Sequence, residues 1–168
     1  MKEQQEKQLA TNTASPEVGR SAKELTGAAT VMTDRLHFKT RGHADMVNIT
    51  ADVRRLVADT GLRAGTVTLF VPGATGAVTT LEFEPGVLED FGILFDHLAP
   101  PTAEYAHNRT HPDANGHAHV RAGLLGPSLV IPFEDGVPCL GRWQEICFVC
   151  FDNRPRERTV VVQTFGVR

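Results

Sequence analysis

The chain has 168 residues, 41% of them apolar and 22% charged, with a net charge of −3 at pH 7. That length lets one core bury about two-thirds of the unfolded surface without a disulfide or metal staple, and the composition excludes disordered, collagenous and membrane-spanning classes. The acidic balance gives no electrostatic case for a nucleic-acid partner, whose phosphates call for clustered Lys and Arg.

Residues 1–26 are polar with little apolar periodicity and read as a flexible arm ahead of a single domain over 27–168. The start of the chain lacks the apolar segment of a secretory signal, and no run approaches the roughly 18 apolar residues of a spanning helix, so the expected location is the cytoplasm, away from membranes. Val31 to Thr40 is expected to be a strand, because Leu36 and Phe38 alternate with polar neighbours, and His43-Ala44-Asp45 a loop. Thr50 is placed to cap a helix whose apolar stripe is Val53, Leu56 and Val57 and whose stop is Gly61. Strands are expected at Gly65–Val71, ended by Pro72-Gly73, and at Val78–Phe83. Pro85 opens a second helix with Val87, Leu88, Phe91, Leu94, Phe95 and Leu98 on its apolar face, closed before Pro100-Pro101. Tyr105 to Gly116 has no periodicity and reads as a loop, and His117 to Leu125 as a short helix. From Ser128 onward three strand-like runs are separated by short turns at 134–136 and 152–156, which implies an antiparallel meander. Trp143, assigned to its middle strand, reads as a packed core or interface aromatic. The order predicts an α+β fold: one compact domain with antiparallel sheets, two to three helices and a C-terminal β-meander.

Cys147 and Cys150 have CxxC spacing, but Glu145–Phe151 reads as a buried strand, where residues three apart face opposite ways. The two thiols are then small core side chains and cannot clasp one ion from that strand.

Four of the seven histidines, His107, His111, His117 and His119, fall within 13 residues. Histidine is both a common metal ligand and a common acid–base group, so the cluster supports a divalent-metal site and equally a solvated His-rich loop; spacing alone does not choose. On a helix His117 and His119 diverge by roughly 200°, so only one of them can point fully into a common site. Asp113 and Asn115 can support a histidine ring or serve as turn and cap residues. Arg121 offers a planar fork for phosphate or carboxylate, and also fits an ordinary surface role. Glu82 and Glu84 alternate with Leu81 and Phe83 and would share one side of a strand, as a base, metal ligands or an exposed polar face.

The runs Asp113-Ala114-Asn115-Gly116-His117-Ala118-His119, Leu124-Leu125-Gly126-Pro127-Ser128-Leu129 and Leu140-Gly141-Arg142-Trp143-Gln144 resemble the signature of the YjbQ-like, or secondary thiamine-phosphate synthase, family. The similarity extends from about Val31 to Phe165. It implies a homotrimer with a histidine-bearing polar pocket near a subunit boundary. The implied reaction joins a pyrimidine pyrophosphate to a thiazole phosphate, both small phosphorylated metabolites, with a divalent metal (Zn or Mg) as the implied cofactor. The alternative is a non-catalytic trimeric protein that binds a metal or a phosphometabolite. By this resemblance His107, His119, Arg121 and Glu82 are the catalytic candidates and Thr75 contacts the bound ligand; the His-rich segment itself adds Asn115 as a ligand contact and His107, His117 and His119 as the metal candidates. Two departures stand out: Gly73 and Leu81 occupy positions where many members carry His and Asn.

Overall fold

The structure, a computed structural model, describes residues 27–168; the expected N-terminal arm, 1–26, lies outside them. The strands are β1 (Thr30–Thr40), β2 (Asp45–Asn48), β3 (Ala64–Phe70), β4 (Gly76–Leu81), β5 (Ser128–Glu134), β6 (Val137–Pro138), β7 (Glu145–Cys150) and β8 (Arg156–Val167). The helices are α1 (Thr50–Asp59), α2 (Pro85–Leu98), α3 (Ala106–Thr110) and α4 (Gly116–Leu125). A five-stranded sheet runs β1-β8-β3-β5-β6 and a three-stranded sheet β2-β7-β4, with every pairing antiparallel. The α+β class with antiparallel sheets is as the sequence predicts.

Strand alternation decides which side chains meet. Val67 and Leu69 of β3, Ile131 and Phe133 of β5, and Val160 and Val162 of β8 leave one face of the large sheet. They pack against Val78, Ile146, Phe148 and Cys150 of the small sheet, and α1 closes the end with Val53 and Val57. The other face of the small sheet presents Ala77, Val149 and Phe151 to Phe91 and Phe95 of α2 and to Ala118 and Ala122 of α4. The result is three layers, sheet, sheet and helices, with an apolar seam on each side of β7.

The strict antiparallel face rule puts Cys150 in the first seam and Cys147 toward the helix side, both buried. Burial pushes the Cys147 thiol up to about 12, so in the free protein it stays protonated at neutral pH.

Several local expectations are corrected. The three C-terminal runs are strands but no meander: β7 sits in the small sheet, and β8 crosses to lie between β1 and β3. Only β5 and β6 form a hairpin, across Asp135-Gly136. The segment expected to be a loop contains α3. Thr50 does not cap α1; its hydroxyl accepts from the Ile146 amide at 2.7 Å, and the Asn48 carboxamide oxygen accepts from the Thr50 amide at 3.0 Å. Trp143 belongs to no strand. It lies in the turn ahead of β7, 61% exposed, with the Arg142 guanidinium 4.7 Å from the ring centroid. Its truncation therefore removes no core packing. Among the described residues no helix is long and apolar enough to cross a membrane.

Candidate functional site

The His-rich segment is folded around the start of α4. Gly116 lies so close to Tyr105 that any Cβ there would collide with the tyrosine side chain. The glycine lets α3 approach α4, and the Asn108 carboxamide of α3 then accepts from the Gly116 amide at 3.0 Å, filling the cap role that Asn115 leaves open. This contact brings three histidines together. His107 stacks on His111 with ring centroids 4.4 Å apart and 4° between planes, and His119 reaches the same ring from α4 at 4.4 Å. Asp113 Oδ1 stands 3.5 Å from His107 Nε2, and neither atom has a hydrogen-bond partner. The Asp113 carbonyl accepts from the Asn153 side chain at 2.6 Å, tying this loop to the start of β8.

Beside His119 a cavity of about 250 Å³ is bounded by Gly73, Ala74, Gly76, Ala122, Gly123 and Pro127. Its walls are backbone and small side chains, so a ligand can approach the main chain closely. His119 is its one ionisable lining group.

His117 turns the other way, as the helical spacing predicts. It is 4% exposed, below Tyr105 and near His43, Arg121 and Asp152. Burial first, and then the charges of Arg121 and His43, lower its pKa below the ordinary value. Arg121, 2% exposed, donates from Nε and Nη2 to the Ala99 carbonyl at 3.0 and 2.8 Å, and from Nη2 to Asp96 at 2.7 Å. Its fork is thus spent on the C-terminal end of α2, where carbonyls lack helical partners. Asn115 is 2% exposed.

Thr75 belongs to a second buried polar group, which no local pattern signals. Its hydroxyl donates to Asp152 at 3.0 Å and accepts from Arg158 Nη2 at 2.9 Å. Asp152, 1% exposed, also accepts from Arg156 Nε at 2.9 Å and from the Asn153 amide. Burial alone would raise its pKa, but the bonds from Arg156 and Thr75 and the charges of Arg156 and Arg158 outweigh it, and the carboxyl is held below its usual value. Arg158 further donates to the Cys150 sulfur from Nε and Nη2, at 3.3 and 3.0 Å. Asp152 and the arginines sit in what reads as an ordinary polar turn; only a strand count placing Phe151 in the core would have hinted that its neighbour is buried.

Glu82 is not brought to the histidines. It is exposed just beyond β4, six residues from Gly76, and at about 3.3 Å per residue the strand holds the two roughly 20 Å apart. Glu84, expected beside it on the strand, caps α2 by accepting from the Gly86 and Val87 amides. Among the described residues no three His, Cys, Asp or Glu side chains stand close enough to hold one metal ion. His107, His117 and His119 do not form a ligand set within one chain, because α4 sends two of them to opposite sides.

Acid should weaken this end of the fold. His117, buried with a lowered pKa, resists a proton that the unfolded chain accepts, and Asp152, with a lowered pKa, loses its bonds when protonated. Both signs run the same way. The melting temperature is expected to fall as pH drops from 7.5 through the ordinary histidine range, and His117→Gln to flatten that part of the curve; thermal melts at a series of pH values check it.

The family model described as UPF0047 protein YjbQ-like matches residues 34–167. A UPF0047 protein of Archaeoglobus fulgidus is 40% identical over 128 residues, covering 76% of this chain and 97% of the relative. The UPF0047 protein YugU of Bacillus subtilis is 32% identical over 136 residues, 80% of this chain and 100% of the relative. Among solved structures, a YbjQ-like protein of Sulfolobus solfataricus superposes with a TM-score of 0.79 at 31% identity, covering 83% of this chain and 99% of the other.

Proposed function

The chain belongs to the UPF0047 YjbQ-like family, and from that premise we propose that it is a cytoplasmic enzyme using His107 and His119 on a small phosphorylated metabolite, with thiamine-phosphate synthesis as its reaction. One observation carries this reading. Four buried polar atoms around the α3–α4 junction have no hydrogen-bond partner: His107 Nε2, Asp113 Oδ1, Asn115 Oδ1 and His117 Nδ1. Buried polar atoms are rarely left unpaired, and the two on the His119 side of α4, His107 Nε2 and Asp113 Oδ1, are what a site open to a polar ligand presents.

In the proposed reaction the thiazole nitrogen attacks the methylene carbon of the pyrimidine pyrophosphate. A C–N bond forms, the C–O bond breaks, and the electron pair leaves with pyrophosphate, so no redox partner is needed. What the protein must supply is positioning and positive charge at the leaving group. A histidine ring can hold a proton there, and the small-residue walls beside His119 admit a phosphate-sized group. No step is assigned to a metal, since among the described residues of one chain the donors do not converge. The test is an assay with both substrates, run without and with Zn or Mg; absence of thiamine phosphate above the protein-free blank in every arm rejects the reaction.

A second reading, a trimeric binding protein without turnover, is favoured by Gly73, which puts no side chain into the cavity, and by the remoteness of Glu82. Thermal stabilisation by substrate without product would select it.

Both readings include a homotrimer. Support comes from the outer face of the large sheet, where Val31, Phe70, Val130 and Phe165 are 46–58% exposed, and Val31 lies directly opposite Phe165 in the β1–β8 register. Such a face costs solubility unless covered. Phe165→Glu is expected to turn a trimer into monomers with little change in secondary structure, and sedimentation equilibrium at micromolar concentration reads the mass directly.

A further inference from the structure

We propose that Arg158 supplies the cationic subsite of the His119 cavity, binding the phosphate of an anionic ligand through Nη1, and that Gly73 is the opening through which it does so. This deepens the proposed function, on whose ligand class it rests.

Arg158 is built as a held charge. Its side chain is 12% exposed, and Nε and Nη2 are fixed by the Cys150 sulfur, Thr75 and Asp152. Nη1 makes no hydrogen bond among the described residues and is not among the sealed, unpaired atoms. The anchored part of the fork thus aims a free corner that a ligand can reach. A fork fixed in this way loses little side-chain entropy when it binds an oxyanion.

The surrounding charge favours an anion. The buried group holds two guanidiniums, Arg156 and Arg158, against one carboxylate, Asp152, a surplus of one positive charge. Glu157, next along β8, does not offset it, because its side chain is 85% exposed and paired outward with Lys39 at 3.8 Å. Arg158 also lines a cavity of about 320 Å³ with His37, Lys39 and Glu157. No carboxylate lines the His119 cavity.

Gly73 connects the two. It lines the His119 cavity, and a Cβ built on it would stand 3.7 Å from Arg158 Nη1. Nη1 therefore lies at ordinary contact distance from where a side chain at 73 would begin. A larger residue here contacts the guanidinium; glycine leaves that space empty. By contrast Arg121, the basic residue nearest in sequence to the histidines, has its Nε and Nη2 committed to Ala99 and Asp96.

The experiment is calorimetric titration of the full chain with inorganic phosphate and with pyrophosphate. The unmodified protein is expected to bind, and Arg158→Gln and Gly73→Leu each to weaken binding roughly tenfold or more. Gly73→Leu removes no member of the Asp152 network, so it decides the matter should Arg158→Gln fail to fold. Folded Arg158→Gln binding as tightly as the unmodified chain overturns the subsite, as does Gly73→Leu with undiminished affinity or an unmodified chain that binds neither anion. Phosphate binding lost in both variants, in a protein that makes no thiamine phosphate, upholds the subsite while rejecting the reaction proposed above.

Discussion

Replacing His119 or His107 with alanine is expected to remove pyrophosphate binding, a loss of tenfold or more on the scale where about 1.4 kcal/mol is a factor of ten, while leaving the melting temperature nearly unchanged. The separation follows from what these rings do in the free protein. His107 Nε2 makes no hydrogen bond and only a 3.5 Å contact with the Asp113 carboxylate, so truncation breaks one weak contact. Its packing is a stack on exposed His111 and an oblique contact with half-buried His119, and it belongs to neither apolar seam. Stability changes should stay within about 1 kcal/mol. Calorimetry and thermal melting on the same samples measure both quantities; a folded His119→Ala protein that binds pyrophosphate like the parent would remove His119 from the site.

Arg121→Ala should give the reverse pattern, a loss of about 2–4 kcal/mol in stability, with pyrophosphate affinity intact in whatever fraction remains folded. The side chain makes two bonds to the Ala99 carbonyl and one to Asp96, and Ala99 is itself 2% exposed. Removing the guanidinium leaves that carbonyl without its donor in a place water does not easily enter, and unties α4 from the end of α2. Asp96 is 64% exposed, so its share of the loss is small. Urea denaturation gives the stability term. A stable Arg121→Ala protein that has lost pyrophosphate binding would return Arg121 to the ligand.

These two outcomes turn on positions that look alike in the sequence, a basic residue two places after a histidine in one short helix. Local periodicity reports which face a residue occupies. It does not report what lies against that face. The sequence by itself determined the α+β class, the strands β1 and β3, the helix opened by Pro85, the opposite faces of Cys147 and Cys150, and the divergence of His117 from His119, because each follows from a period of 2.0 or 3.6 or from a fixed backbone preference. Only the tertiary structure decided that β7 and β8 enter different sheets, that Arg121 meets a carbonyl 22 residues away, that Asp152 is buried under Thr75 and two arginines, and that β4 holds Glu82 at the far end from the histidines. Those are choices of partner between segments distant in the chain, made by the burial of whole faces at once, and no local pattern encodes them.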